Sequence, residues 1–222
     1  MEKENIVVFD FDGTLTTCDT LLLFIRQARG RWALLWGLLL YSPLLVLMKL
    51  RLVDNGRTKE RFFGHFFKGM LERDFETLCV RFAHENLSIL RTEGMKVLQK
   101  SLDEGKRVIV VSASVDRWVE PILRICEGSE VRGCEVLGTQ IEVVNGRLTG
   151  HFSSPNCYGA EKVIRLKNYL DSSSLQASDP HPPILEGSHR SYYHITAYGD
   201  SRGDRELLAY ADEAHYKPFR LS

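Results

Sequence analysis

Residues Ile6-Val7-Val8-Phe9 form a short apolar run, β-branched and aromatic, that ends abruptly in Asp10-Phe11-Asp12-Gly13-Thr14. An apolar run of this kind bounded by a turn reads as a buried strand. Alternation along a strand sends Asp10 and Asp12 to the same side, within reach of one ligand. Two carboxylates that close repel each other and drive their pKa values apart unless a cation compensates. A metal ion is therefore the natural third member of the group. The carboxyl end of a parallel strand is also where open α/β sheets place their ligands.

The rest of the chain alternates helical and strand-like segments. The first strand is expected at residues 5–10 and a helix from Leu15 to Gln27. Apolar positions recur at helical spacing through Phe62, Phe63, Phe66, Phe67, Phe75, Leu78, Phe82 and Leu90. No strand is expected between residues 15 and 92, so this stretch reads as a helical insertion carried on the first strand's exit loop, with its phenylalanines as core. Beyond it the pattern predicts a helix at Met95–Asp103, a strand at Arg107–Val111, and a helix over 116–126 broken at Pro121. A hairpin is expected around Asn145-Gly146, then a helix at Glu161–Leu170. Residues 171–191, rich in Ser, Pro, His and Gly, read as a long loop. A strand at Tyr192–Tyr198, a helix from Arg205 and a short tail complete the chain. The expected fold class is α/β: a doubly wound, Rossmann-like, mostly parallel sheet built from residues 1–15 and 92–222, with an all-helical cap at 16–91.

Bulk properties exclude several functions. Lys plus Arg equals Asp plus Glu at 29 each in 222 residues, so no overall basic field favours nucleic acid. Five cysteines, odd in number and without a C-x-x-C pair, indicate neither a disulfide framework nor a zinc site. His181, His189 and His194 lack ligand spacing. The charged start leads straight into the first strand with no secretory signal, so a cytoplasmic location is expected. Residues 32–50 complicate this. Lys49 is their only charge, Trp32, Trp36 and Tyr41 lie among them, and Arg29, Arg31, Lys49 and Arg51 mark their edges. Pro43 divides the segment, which predicts two short helices in a buried or membrane-touching hairpin instead of a single span. Arg51, Arg57, Lys59, Arg61 and Lys68 make the insertion locally basic, either as a solvated face or as an attraction for anionic substrates or lipid headgroups.

Three further groups matter for chemistry. Ser112-Ala113-Ser114 follows the apolar run Val108–Val111, where a hydroxyl and the next backbone N–H can hold an anionic oxygen. Lys162 opens a helix after Asn156-Cys157-Tyr158-Gly159, a position where cations are disfavoured without a partner. Asp200 and Asp204, in Gly199-Asp200-Ser201-Arg202-Gly203-Asp204, follow another strand and suit a hard cation. Together with Asp10-x-Asp12-Gly13-Thr14, these groups in this order resemble the four motifs of the haloacid dehalogenase superfamily. The helical insertion is similar to the subgroup containing phosphoserine phosphatase. The apolar insertion and the Asn-Cys-Tyr-Gly-x-x-Lys run are similar, more loosely, to a bacterial branch that includes a phosphatidylglycerophosphate phosphatase.

The resemblance implies a phosphomonoester hydrolase in which Asp10 is the nucleophile and Asp12 the general acid and base. It implies Mg²⁺ held by Asp10, the Asp12 main-chain carbonyl and Asp200, with Asp204 as support. Phe11, Gly13, Thr14, Ser112, Ala113 and Lys162 would hold the phosphoryl group. The partner would be a small-molecule or lipid phosphate monoester, not nucleic acid, with peripheral membrane contact through residues 32–50 an open alternative to cap packing. Asp12 and Asp200 argue against a dehalogenase. Phosphotransfer to an alcohol would use the same residues, and a catalytically silent, membrane-associated binding protein is the alternative from another class.

Overall fold

The structure is a computed structural model that describes residues 3–125, 133–176 and 192–220. Strand β1 (Glu4–Phe9) is the middle of a five-stranded parallel sheet. It pairs with β2 (Arg107–Val115) on one side and, with the strands numbered in chain order, β6 (Tyr193–Gly199) on the other. The outer strands are β3 (Cys134–Thr139) beside β2 and β7 (Glu213–Tyr216) beside β6. Strict alternation divides the central strands between two cores. Val7, Phe9, Val108 and Val110 face one layer, whereas Ile6, Val8, Ile109 and Val111 face the other. All eight side chains are buried, as apolar strands covered on both faces require.

The insertion between β1 and β2 contains helices α1 (Thr20–Arg29), α2 (Arg31–Lys49), α3 (Asn55–Phe67) and α4 (Glu72–Glu85), followed by α5 (Thr92–Asp103). Its two connections run side by side. The N–H of Thr17 donates to the Ile89 carbonyl at 2.9 Å, and that of Arg91 to Leu15 at 2.7 Å. Phe24 of α1 stacks on Trp118 with ring centroids 4.8 Å apart and meets Phe67, Phe75 and Phe82 at 5.3–5.5 Å. Trp118 belongs to α6 (Asp116–Arg124), so this aromatic cluster joins the insertion to the sheet. The phenylalanines are core, as their spacing predicted.

Several elements depart from the sequence expectation. Residues 32–50 do not break at Pro43, since α2 runs unbroken for 19 residues. The missing proline N–H frees the Leu39 carbonyl, and Ser42 Oγ donates to that carbonyl at 2.8 Å. Nor is the segment mainly core. Gly37 lets α2 press against the Phe66 ring, and Tyr41 packs on Phe62 at 5.6 Å, but the opposite face is bare. Pro121 likewise lies inside a continuous α6, which buries Trp118, Val119, Ile122 and Leu123.

The Asn145-Gly146 turn does form a hairpin, with φ of 52° and 70° at its two residues. It joins β4 (Ile141–Val144) to β5 (Arg147–Phe152), while the preceding β3 belongs to the main sheet. Helix α7 (Ala160–Gln176) continues through the first six positions of the expected loop; residues 177–191 of that loop lie outside the described residues. The tail after α8 (Arg205–Tyr210) contains the edge strand β7, which its short polar sequence did not signal.

Replacing Phe24 with Ala removes the ring common to these four contacts. The variant is expected to lose about 3–5 kcal/mol of unfolding free energy, measurable by urea denaturation.

Candidate active site

Strand β1 ends at Phe9, and the N–H of Asp10 makes its last sheet-like bond, to the Tyr198 carbonyl at 2.8 Å. The chain then curls through Phe11–Leu15, closed by the Thr16 N–H on the Phe11 carbonyl at 3.0 Å. Asp12 therefore stands in a turn, and strand alternation does not place it. Gly13 has a φ of 82°, and a Cβ there would lie 2.6 Å from Asp200 Oδ2. Only glycine permits both the turn and the approach of that carboxylate.

Asp12 is held from α1 and β2. Its Oδ1 accepts from the Thr20 N–H at 2.9 Å and the Thr20 hydroxyl at 2.7 Å, and its Oδ2 accepts from Ser114 Oγ at 2.5 Å. Trp118 Nε1 donates to Thr20 Oγ1 at 3.1 Å, holding that hydroxyl in place from behind as a donor to Asp12. Burial raises the Asp12 carboxyl above its ordinary range, with Asp19 nearby adding to the effect. Thr20 and Ser114 were not anticipated as site residues.

Lys162 lies in the first turn of α7, against the unfavourable end of the helix dipole, and its partners explain it. Its Nζ donates to Asp10 Oδ1 at 2.5 Å and to Asp204 Oδ1 at 2.6 Å, with all three side chains buried. Burial would lower the lysine, yet the two carboxylates hold it above its ordinary value. Burial also raises Asp10, to about 7, against the pull of Lys162. Asp204 behaves oppositely: burial is outweighed by Lys162 and by Ser201, and its carboxyl is held down. The other Asp204 oxygen accepts from the N–H groups of Asp200 at 3.2 Å and Ser201 at 2.9 Å and from Ser201 Oγ at 2.7 Å. This use of both oxygens makes Asp204 a support for its neighbours.

Asp10, Asp200 and Asp204 each bring a buried carboxylate oxygen within 4.8 Å of the others. Thr14 Oγ1 lies 3.1 Å from Asp10 Oδ2 and 3.5 Å from Asp200 Oδ1. A buried set of hard oxygen donors, with a glycine where any Cβ would crowd it, fits a divalent cation such as Mg²⁺. The cluster opens into a cavity of about 550 Å³. Of the residues singled out in the sequence, Asp10, Asp12, Gly13, Ala113, Lys162 and Asp200 line it. Phe11, Thr14, Ser112 and Asp204 lie behind that surface, and Ser112 Oγ accepts from the Ser114 N–H at 3.0 Å.

The cavity also recruits residues not expected to hold the phosphoryl group or a cation. Lys59 Nζ donates to the Ala113 carbonyl at 2.7 Å, and burial lowers its pKa. It is not a solvated lysine. Its position four residues before Phe63, on the apolar side of α3, was the signal available in the sequence. Asn156, Tyr158 and Arg220 complete the polar wall, while Leu45 and Met48 of α2 contribute apolar surface.

Residues 7–209 match the haloacid dehalogenase-like hydrolases, and the chain belongs to that family. It is 31% identical over 221 residues to the protein CicA of Caulobacter vibrioides, covering 97% of this chain and 86% of that one. Among solved structures, a protein of unknown function from Bordetella pertussis Tohama I superposes with a TM-score of 0.74 at 17% identity, covering 94% of this chain and 87% of that one. A substrate-bound phosphoserine phosphatase gives 0.63 at 15% identity, covering 97% and 87%. The fold is thus that of the phosphoserine phosphatases.

A cation drawn to this cluster must displace the proton that burial keeps on Asp10. Below a pH of about 7 that proton is present, and above it the carboxylate is already free. Apparent Mg²⁺ affinity is therefore expected to climb as pH rises to about 7 and then level off. Proton release on binding, read by titration calorimetry in buffers of different ionisation enthalpy, should fall away over the same interval.

Proposed function

We propose that this protein is a Mg²⁺-dependent phosphomonoesterase that forms an aspartyl-phosphate on Asp10, with residues 16–91 acting as a cap over a core of residues 1–15 and 92–222. The observation that carries this reading is the buried Asp10–Lys162–Asp204 chain, bonded at 2.5 and 2.6 Å, at the floor of a cavity that Asp12 also lines.

Asp10 attacks phosphorus in line, forming an acyl phosphate as the bond to the ester oxygen breaks. Asp12 donates a proton to the departing oxygen, then takes one from the water that hydrolyses the intermediate. Its raised pKa and its fixed bonds to Thr20 and Ser114 suit an acid held in place. Lys162 offsets the charge of nucleophile and phosphoryl group. The Phe11, Gly13 and Thr14 turn, the Ala113 backbone and the Ser112 hydroxyl hold the transferring oxygens. Ser112 accepts from Ser114, which leaves its own hydrogen to donate. Asp10, the Asp12 main-chain carbonyl and Asp200 would hold Mg²⁺, which would supply positive charge to offset the nucleophile and the phosphoryl group.

The substrate we infer is an amphiphilic phosphate presented at an anionic lipid surface. Helix α2 exposes Trp32 (71%), Trp36 (70%), Leu39 (63%) and Leu40 (61%) to solvent. Basic residues lie at both its ends, the pattern of a helix resting in a membrane interface. Leu45 and Met48 of the same helix line the cavity, so the bare face and the cavity wall belong to one element.

The test is phosphate release with Mg²⁺ and with chelator, over phosphoserine, sugar phosphates and phosphatidylglycerol phosphate, with Asp10→Asn as the blank. Mg²⁺-dependent release that Asp10→Asn lowers by at least about 10³-fold is expected. Retained release in that variant would remove Asp10 as nucleophile, and transfer of phosphate to added glycerol would identify a phosphotransferase. Sedimentation with phosphatidylglycerol vesicles should fall several-fold in Trp36→Glu/Leu40→Glu protein. Unchanged sedimentation would refute the lipid-facing reading of α2.

A further inference from the structure

Asp200 needs a partner that none of the four motifs supplies. Lys162 is taken up by Asp10 and Asp204, and the Thr14 hydroxyl reaches Asp200 only at 3.5 Å. The cation that meets Asp200 Oδ2 is the guanidinium of Arg220, twenty residues further along the chain. The Asp200 side chain is 6% exposed, whereas that of Arg220 is 47% exposed and forms part of the cavity wall.

The tail that carries Arg220 is fastened to the sheet. After β7, the N–H of Lys217 donates to the Gly199 carbonyl at 2.7 Å. Phe219 stacks on Tyr198 at 5.4 Å and lies 6.5 Å from Phe9, and its carbonyl accepts from Arg91 Nη1 at 3.3 Å. These contacts hold the Arg220 backbone beside the site and leave its long side chain free to change partner. A guanidinium is permanently charged and takes carboxylate or phosphate oxygens in a fork. Once Asp200 is ligated by a divalent cation, the same guanidinium loses its counter-ion and is repelled by the new charge. It then faces a cavity open to an anion.

We propose that Arg220 is a specificity-determining residue. It pairs with Asp200, and when a divalent cation takes that carboxylate it binds a second anionic group of the substrate, separate from the transferring phosphoryl group. The substrate class is thereby a phosphomonoester that carries a further carboxylate or phosphate close to its ester oxygen. This inference rests on the phosphatase reading above.

Two measurements on wild-type and Arg220→Gln proteins test it. The first is Mg²⁺ titration without substrate. Removing the competing cation is expected to tighten binding roughly three- to tenfold. The second is the ratio of kcat/KM for phosphoglycolate, which bears a carboxylate, to that for ethyl phosphate, which bears no second charge. That ratio is expected to fall roughly 10- to 100-fold in Arg220→Gln and to recover in part in Arg220→Lys. An unchanged ratio overturns the specificity assignment, whatever the metal affinity. Unchanged or weaker Mg²⁺ binding overturns the exchange of partners. Wild-type turnover of neither ester alongside release from phosphatidylglycerol phosphate overturns the specificity assignment alone, and silence on all of them removes the phosphatase reading with it. The metal titration then still reads the Arg220–Asp200 competition on its own.

Discussion

A single buried ammonium group organises the site. Lys162 lies between Asp10 and Asp204 with almost no solvent contact, and each of the three groups would be costly to bury alone. Three elements depend on the arrangement: the end of β1 carries Asp10, the start of α7 carries Lys162, and the turn after β6 carries Asp204. Asp204 spends its second oxygen on the backbone of Asp200 and Ser201, so the lysine's position is passed on to the Asp200 loop. One charge thus fixes the relative placement of the nucleophile candidate and the third carboxylate.

The two catalytic candidates on the first turn have different surroundings despite standing two residues apart. Asp10 is buried against a shared cation, while Asp12 is turned toward the start of α1 and the end of β2. Because Thr20 lies within the helical insertion and Ser114 on the sheet, the orientation of Asp12 depends on how the two are packed together. The Phe24–Trp118 stack, a few residues from both groups, is part of that packing. Stability of the aromatic cluster and geometry of the acid are therefore linked through a short path of contacts.

The face of α2 opposite its packing surface follows a different logic. A soluble helix ordinarily shows one apolar stripe, whereas α2 is apolar nearly all round and buries only Leu34 and Gly37 among its nineteen residues. Folding of the monomer does not account for so much exposed tryptophan and leucine. That bare face is the one the proposed contact with an anionic lipid surface would cover.

The sequence by itself determined what local pattern and order can encode. The apolar run before Asp10 required a buried strand, the phenylalanine spacing required helices with an aromatic core, and Asn145-Gly146 required a tight hairpin turn. The order of Asp10, Ser112, Lys162 and Asp200 pointed to the family. Tertiary structure alone decided which oxygen each cation meets, that Lys59 donates to the Ala113 carbonyl, and that Arg220 reaches Asp200. It also decided that the tail forms an edge strand beside β6. The division has a physical cause. Backbone periodicity and turn chemistry are properties of neighbours in the chain and are written in it directly. The partner of a charge depends instead on which surfaces are brought together when the helices pack on the sheet, and no local pattern carries that information.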